Sequence, residues 1–195
     1  DYIHCSVHNL NLVLNDAVKN VSALKTFYDL IQSIYVFFSE SLPRWQKLSD
    51  TIEEFGKKCV AITLKKLCPT RWSSRFDSLQ AIRSNFLAIL NCLSVLSISC
   101  KKKDDRNLAS SLRNKMSSFE FVLQLVFQDM VLHSTNLASK TLQLLNMDLA
   151  LASQILEKAK NNLKSLRLKF SDVLEEAETL AKVWNIDTNF KNRRT

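Results

Sequence analysis

Glycine is almost absent from this chain, and its absence is the strongest constraint on the fold. Among 195 residues there are one glycine and two prolines, where an average protein has roughly 7% and 5%. Hairpins between β-strands take glycine and proline at their turns, whereas long helices joined by short connections need few of either. We therefore predict an all-α fold, a helical bundle with a well-buried core.

The apolar periodicity divides the chain into about six helices. Pro43 fits the first turn of the third helix, where its missing N–H costs nothing. Pro69 ends whatever precedes it, and Thr70 is a suitable N-cap for the fourth helix. A charged link, "CKKKDDR", precedes the fifth helix. The predicted helices cover about residues 4–20, 22–41, 42–56, 71–96, 107–144 and 149–184.

The last predicted helix has the clearest period. Steps of three and four residues from Leu149 meet only apolar side chains, namely Ala152, Leu156, Ala159, Leu163, Leu166, Phe170, Val173, Ala177, Leu180 and Trp184. A repeat of this kind predicts a straight helix that buries one narrow seam. The seam could pack within its own bundle or form a dimeric coiled coil. The small alanines at alternate positions favour packing within the bundle.

The chain is basic, with 27 Lys and Arg against 19 Asp and Glu and a net charge of +8. A basic excess attracts polyanions, of which nucleic acid is the commonest protein partner. Lys160, Lys164 and Arg167 fall on one face of the last helix. They are candidates for contact with DNA. A solvated helix surface has the same pattern, so charge alone does not decide between the two.

Cysteine usage and hydropathy indicate the compartment. The five cysteines are an odd number without a C-x-x-C pair, which is typical of free thiols in the cytosol or nucleus. No apolar run reaches the roughly 18 residues that a membrane span needs, so we expect no membrane partner. The chain begins at Asp1 and stops at "KNRRT"; we expect it to be a segment of a longer protein.

The stretch "IHCSVHNLNLVLNDA" brings His4, Cys5 and His8 close in sequence and raises the question of a metal or catalytic site. Neighbouring side chains on a helix diverge by about 100°, so these three cannot all converge on one zinc ion. A Cys–His dyad would need a third orienting group and an oxyanion hole. A chain with one glycine also cannot form a phosphate-binding loop. We predict no metal site, no bound cofactor and no small-molecule substrate in this segment.

Three segments together resemble a known family. "YIHCSVHNLNLVLNDA" contains C-x-x-H-x-L-N-L, "CPTRWSSRFDSL" contains P-T-R-W-x-S-R-x-x-S-L, and "LQLLNMDLALA" contains L-Q-x-x-x-x-D-L-x-x-A. In this order and spacing they resemble hAT-superfamily DNA transposases. The likeness is greatest to the transposase-derived branch with zinc finger MYM-type protein 1-like proteins and the THAP-domain repressor of the inhibitor of the protein kinase. The three segments span most of the chain.

The resemblance implies a place in a larger protein. In this family an RNase H-like core holds two Asp and one Glu, which bind two divalent metals for strand cleavage. Residues 1–20 would be the end of that core, with at most one strand remnant at "YI". Residues 21–190 would form an all-α insertion domain, and residues 191–195 would be a basic end. An active parent would need Mg²⁺ or Mn²⁺. Most of the metal ligands would lie outside this chain, so the segment alone is not expected to be catalytic.

The resemblance also gives roles to individual residues. Cys5 and His8 match the C-x-x-H that packs beside the catalytic pocket. Arg71 and Trp72 match an R-W element in which the tryptophan holds a flipped base when flanking DNA forms a hairpin. Base stacking on an aromatic ring contributes roughly 1–3 kcal/mol. Arg75 would contact phosphate or lie on the helix surface, and core packing is the alternative for Trp72.

Three functions are therefore open. The first is a transposase segment whose helical insertion helps to hold DNA. The second is a domesticated, catalytically inactive nuclear factor that uses the helices for protein–protein contact or dimerisation. The third is an unrelated helical bundle. For the first two we expect a nuclear location, with DNA, a second copy or a nuclear protein as partner.

Overall fold

The computed structural model describes residues 6–55, 63–68, 72–143 and 148–190. Within these ranges the chain forms nine α-helices and no strand, which confirms the all-α prediction. The expected strand remnant at Tyr2 and Ile3 lies outside the described residues, and the place of this bundle in an RNase H-like protein stays a prediction. The helices are α1 Ser6–Lys19, α2 Ser22–Ser39, α3 Leu42–Glu54, α4 Ser73–Ser84, α5 Phe86–Ser99, α6 Lys103–Met116, α7 Phe119–Thr141, α8 Leu149–Leu168 and α9 Phe170–Val183.

Each of the three longest predicted helices is interrupted in the structure. The fourth breaks at Asn85 into α4 and α5, which are bent by 74° relative to each other. The fifth starts earlier than predicted, inside the charged link, and breaks at Ser117 and Ser118 into α6 and α7. The last breaks at Lys169 into α8 and α9. The prediction of continuous helices is wrong here, because each break takes only one or two residues and none of them is glycine or proline.

Two asparagines lie at helix ends, and one of them takes a conformation in which glycine is usual. At the end of α4, the Asn85 side chain donates to the Ala81 carbonyl at 3.0 Å. After α9, Asn185 takes the left-handed conformation with φ 55°, and the next amide, of Ile186, donates to the Ala181 carbonyl at 2.8 Å. This is the Schellman arrangement, in which a left-handed residue lets the last helical carbonyls find donors. Asparagine tolerates that conformation better than other side chains.

The longest helix, α7, lies at the centre of the bundle and contacts α2, α4, α6, α8 and α9. A central helix buries polar side chains as well as apolar ones, and buried polar groups need hydrogen-bond partners. Gln128 of α7 accepts from the Tyr28 hydroxyl of α2 at 2.7 Å. Thr135 accepts from the Trp72 indole N–H at 2.9 Å. These bonds set how α7 is rotated against its neighbours.

A cluster of charged side chains joins α4, α7 and α9. Arg83 of α4 donates to the Asp129 carboxylate of α7 and to the Glu176 carboxylate of α9. Asp129 also accepts from Gln80 of α4, and the His133 ring nitrogen lies 3.2 Å from it. The Asp129 side chain is only 11% exposed. Its charge is therefore compensated by neighbouring donors rather than by water.

No described helix alone is long and apolar enough to cross a membrane. The bent pair α4 and α5 meets the length and hydropathy of a span only when the two helices are taken together.

Loss of the arginine in the charged cluster is expected to destabilise the fold. Arg83→Met removes the cation and leaves a mostly buried carboxylate on Asp129, which should lower the free energy of unfolding by about 2 kcal/mol. Urea unfolding followed by circular dichroism measures the change. The double variant Arg83→Met, Asp129→Leu should recover part of the loss, because it removes the stranded charge as well. A single variant as stable as the wild type would show that the cluster is not needed.

The thiol of Cys92, which is fully buried on α5, should lower the free energy of unfolding at high pH. Burial raises the pKa of the Cys92 thiol to about 11 from its ordinary value of 9.0. Between about pH 9 and pH 11 the thiol ionises in the unfolded chain but not in the folded one, so this contribution to stability is complete below pH 9 and lost above it. From pH 7.5 to pH 10.5 the loss should be about 2 kcal/mol. In the same pH series, a Cys92→Ala variant should lose about 2 kcal/mol less stability than the wild type. Equal losses in the two proteins would refute the assignment.

Candidate nucleic-acid interface

The structure separates the predicted site residues instead of bringing them into one site. Cys5 and Arg71 lie outside the described residues. His8 is exposed near the start of α1. The remaining predicted residues are on two distant parts of the chain, with Trp72 and Arg75 at the start of α4 and Lys160, Lys164 and Arg167 on α8.

Trp72 is part of the hydrophobic core. Its side chain is 2% exposed, and its indole N–H donates to the Thr135 hydroxyl of α7 at 2.9 Å. A base can stack only on an aromatic face that is open to it. In this conformation the ring is not open to a base, and core packing, the alternative, accounts for its position; the flipped-base role stays a prediction.

Arg75 is half-buried and lies against two aromatic rings. Its guanidinium carbon is 4.3 Å from the centre of the Tyr28 ring and 5.0 Å from that of Trp72. One terminal nitrogen donates to the Asn15 side-chain oxygen of α1 at 3.0 Å. Burial lowers the pKa of Arg75, an effect that the neighbouring Tyr28 opposes. This arginine joins α1, α2 and α4, so the structure favours a structural role over the predicted phosphate contact.

The serines of the same element hold the segment before α4. The Ser74 hydroxyl accepts from the Cys68 amide at 2.8 Å, and the Ser78 hydroxyl donates to the Lys65 carbonyl at 2.8 Å. Lys65 also pairs with Asp77 at 3.4 Å. The described part of "TRWSSRFDSL" is thus explained by the fold, because its polar groups are used to attach residues 63–68 and to link helices.

The basic side chains of α8, in contrast, are exposed. Only Ala152 and Ala159 are buried on this 20-residue helix, which packs mainly against α7. Lys160, Lys164 and Arg167 are all exposed, as predicted for either a DNA-binding face or a solvated one. At about 100° per residue they form one row along the helix. We call these three residues the first basic row.

A second basic row was not predicted from the sequence, and it consists of Lys158 on α8 and Lys169, the residue directly after the end of α8. Lys158 and Lys169 are exposed and lie eleven residues apart, which is three helical turns. At about 100° per residue they lie on the side of α8 away from the first basic row. The spacing of three helical turns between these two lysines was the sequence signal by which they could have been found. The only acidic residue of α8, Glu157, pairs with Lys160 at 3.2 Å. With five basic residues against this one carboxylate, residues 157–169 have a net charge of +4.

The next helix has the opposite charge. α9 contains four acidic residues and one lysine, namely Asp172, Glu175, Glu176, Glu178 and Lys182, a net charge of −3. A polyanion is therefore attracted to α8 and repelled by α9, and the two regions meet at Lys169. Among the described side chains, no group of three His, Cys, Asp or Glu is placed to hold a metal ion.

Arg75→Met is expected to lower stability without affecting DNA affinity. The change leaves the Asn15 oxygen without its charged donor, which should cost about 2 kcal/mol of unfolding free energy. Urea unfolding measures stability, and fluorescence anisotropy of a labelled duplex measures affinity below the unfolding transition. The matched control, Arg113→Met, removes an exposed arginine from α6 and should change stability by less than about 0.5 kcal/mol. A stable Arg75→Met variant with weakened DNA binding would return Arg75 to the DNA interface.

Comparisons with known proteins identified no relative of this chain. No protein-family model, no curated protein and no solved structure matches the chain. The likeness to hAT transposases therefore rests on the three sequence segments alone.

Proposed function

We propose that this chain is a DNA-binding helical segment of a hAT transposase-like nuclear protein, and that α8 is the helix that contacts DNA. The observation that carries the proposal is the pair of exposed basic rows on α8. The resemblance of the three segments supports the transposase part, and the net charge of +8 supports a polyanionic partner.

The dimensions of α8 suit a duplex. Lys158 and Lys169 are about 16.5 Å apart along the helix axis, at 1.5 Å per residue. Double-stranded DNA has one negative charge per roughly 1.7 Å of its axis, so several phosphates lie within that length. Each phosphate that a lysine or arginine neutralises releases counterions, and this release drives binding. The exposed cations of α8 can act in this way. Of these cations, only Lys160 is paired with a carboxylate in the described part of the chain.

The proposal gives α8 a supporting part in the chemistry of the parent protein. An active parent would cleave strands with Mg²⁺ or Mn²⁺ held mostly by residues outside this chain, and α8 would hold the flanking duplex next to that site. The described residues are assigned no chemical step. Trp72 is left out of the DNA interface because it is buried.

The second candidate is a domesticated factor that uses the helices to contact a protein. The observation that favours it is an apolar row on α5, where Leu87, Val95 and Ile98 are 38%, 40% and 83% exposed. Positions eight and eleven residues apart lie on one side of a helix. This row is on a different helix from the basic rows, so changes on α8 test DNA binding without altering it.

Neutralising the first basic row should weaken DNA binding strongly. In the triple variant Lys160→Gln, Lys164→Gln, Arg167→Gln, three phosphate contacts are lost. The affinity for a 20-base-pair duplex should fall on the order of 10²-fold at 0.1 M salt, and the slope of log affinity against log salt should become shallower by about 2.7. Anisotropy titrations of the full chain at several salt concentrations measure both quantities.

The matched control removes the same charge elsewhere. Lys101→Gln, Lys102→Gln, Lys103→Gln neutralises three exposed lysines around the start of α6 and should leave the slope nearly unchanged. If both triple variants lose affinity equally, only net charge matters and α8 is not the interface. If the wild-type chain shows no salt-dependent binding, the proposal fails entirely.

A further inference from the structure

A ridge of uncharged side chains lies between the two basic rows of α8. It consists of Gln154, Asn161, Ser165 and Leu168, all exposed. At about 100° per residue, these four positions fall within about 60° of one another, on the side of α8 opposite Ala152 and Ala159. The buried alanines face the bundle, so the ridge is the outermost part of the helix. Leu168 is 88% exposed, a high value for an apolar side chain.

From this arrangement we infer that α8 is a recognition helix, which enters the major groove of duplex DNA and reads base pairs through the ridge. The inference rests on the proposed function and extends it from phosphate contact to sequence reading. Phosphate contacts position a protein on DNA, and contacts with base edges give specificity. A recognition helix therefore needs cations on its flanks and neutral hydrogen-bonding groups at its tip.

The chemistry of the ridge matches the base edges of the major groove. Asparagine and glutamine can bond the N6 and N7 groups of adenine with two hydrogen bonds, serine can bond any base edge, and apolar groups contact the methyl of thymine. Asn161 and Ser165 are about 6 Å apart along the axis, close to two base-pair steps. Leu168 lies about 4.5 Å further on. We expect these three residues to read three or four neighbouring base pairs that include adenine and thymine.

The dimensions and charges allow the helix to enter the groove. The major groove of B-DNA is about 12 Å wide, and a helix with its side chains is 10–12 Å across. Side chains of the first basic row and of Lys158 and Lys169 then extend toward the phosphates of opposite groove walls. Glu157 borders the ridge, but Lys160 compensates its charge at 3.2 Å. The acidic α9 repels phosphate, so the contact should end near Lys169.

The same geometry excludes double-stranded RNA as the preferred ligand. The major groove of A-form RNA is deep and narrow, and side chains cannot reach its base edges. An RNA duplex can meet the basic rows but not the ridge. Comparison of DNA and RNA duplexes of one sequence therefore separates base reading from simple charge attraction.

The test begins with selection of duplexes from a random DNA library by the full chain. We expect an enriched site of three or four base pairs with adenine and thymine, bound at least tenfold more tightly than a scrambled duplex at 0.15 M salt. Asn161→Ala should reduce this preference about tenfold at one or two adjacent base pairs. Its affinity for the scrambled duplex and its salt slope should stay unchanged. Alanine favours helix, so folding should persist, and circular dichroism checks this.

Three comparisons complete the experiment. Asn114→Ala, at an exposed position on α6, is the matched control and should keep the full preference. An RNA duplex of the selected sequence should bind no more tightly than scrambled DNA. Three results would each overturn base reading and leave phosphate binding intact. The wild-type chain could bind without any sequence preference, the preference could be unchanged in Asn161→Ala, or the RNA duplex could be preferred equally. Absence of DNA binding altogether would overturn the proposed function itself.

Discussion

The burial of polar side chains on α7 is the constraint on which the arrangement of the other helices depends. Gln128, Asp129 and Thr135 are all nearly inaccessible to water, and a buried polar group without a partner is costly. Their partners come from α2, from α4 and from the residue just before α4. Apolar contacts alone would tolerate several rotations of a central helix. These directional bonds favour the observed rotation of α7.

The sequence was sufficient for the fold class and for the first three helices. Scarcity of glycine excludes most sheet architectures. Both ends of α2 and α3, and the C-terminal end of α1, lie within about two residues of the predicted ones. The breaks at Asn85, at Ser117 and at Lys169 could not be predicted in the same way. The apolar seam keeps its period across Lys169, so periodicity does not reveal that the helix ends there. The tertiary packing of each half decides the break.

For a similar reason, some residues of the candidate interface could be predicted from the sequence and others could not. The first basic row depends only on helical spacing, which can be read from the local sequence. The burial of Trp72 and Arg75 depends on partners about sixty residues away, Thr135 and Asn15. A local segment does not contain that information. The exposed ridge and Lys158 could have been read from the sequence, once the buried side of α8 was known.

The half-buried position of Arg75 has a consequence for how the element "TRWSSRFDSL" is inherited. A charged group that contacts Tyr28, Trp72 and Asn15 cannot be exchanged singly for most other residues without loss of stability. Selection for a folded protein is enough to keep it, whether or not the protein acts on DNA. Persistence of this element in a descendant is therefore evidence that the helices still assemble. It is not evidence of any activity on DNA.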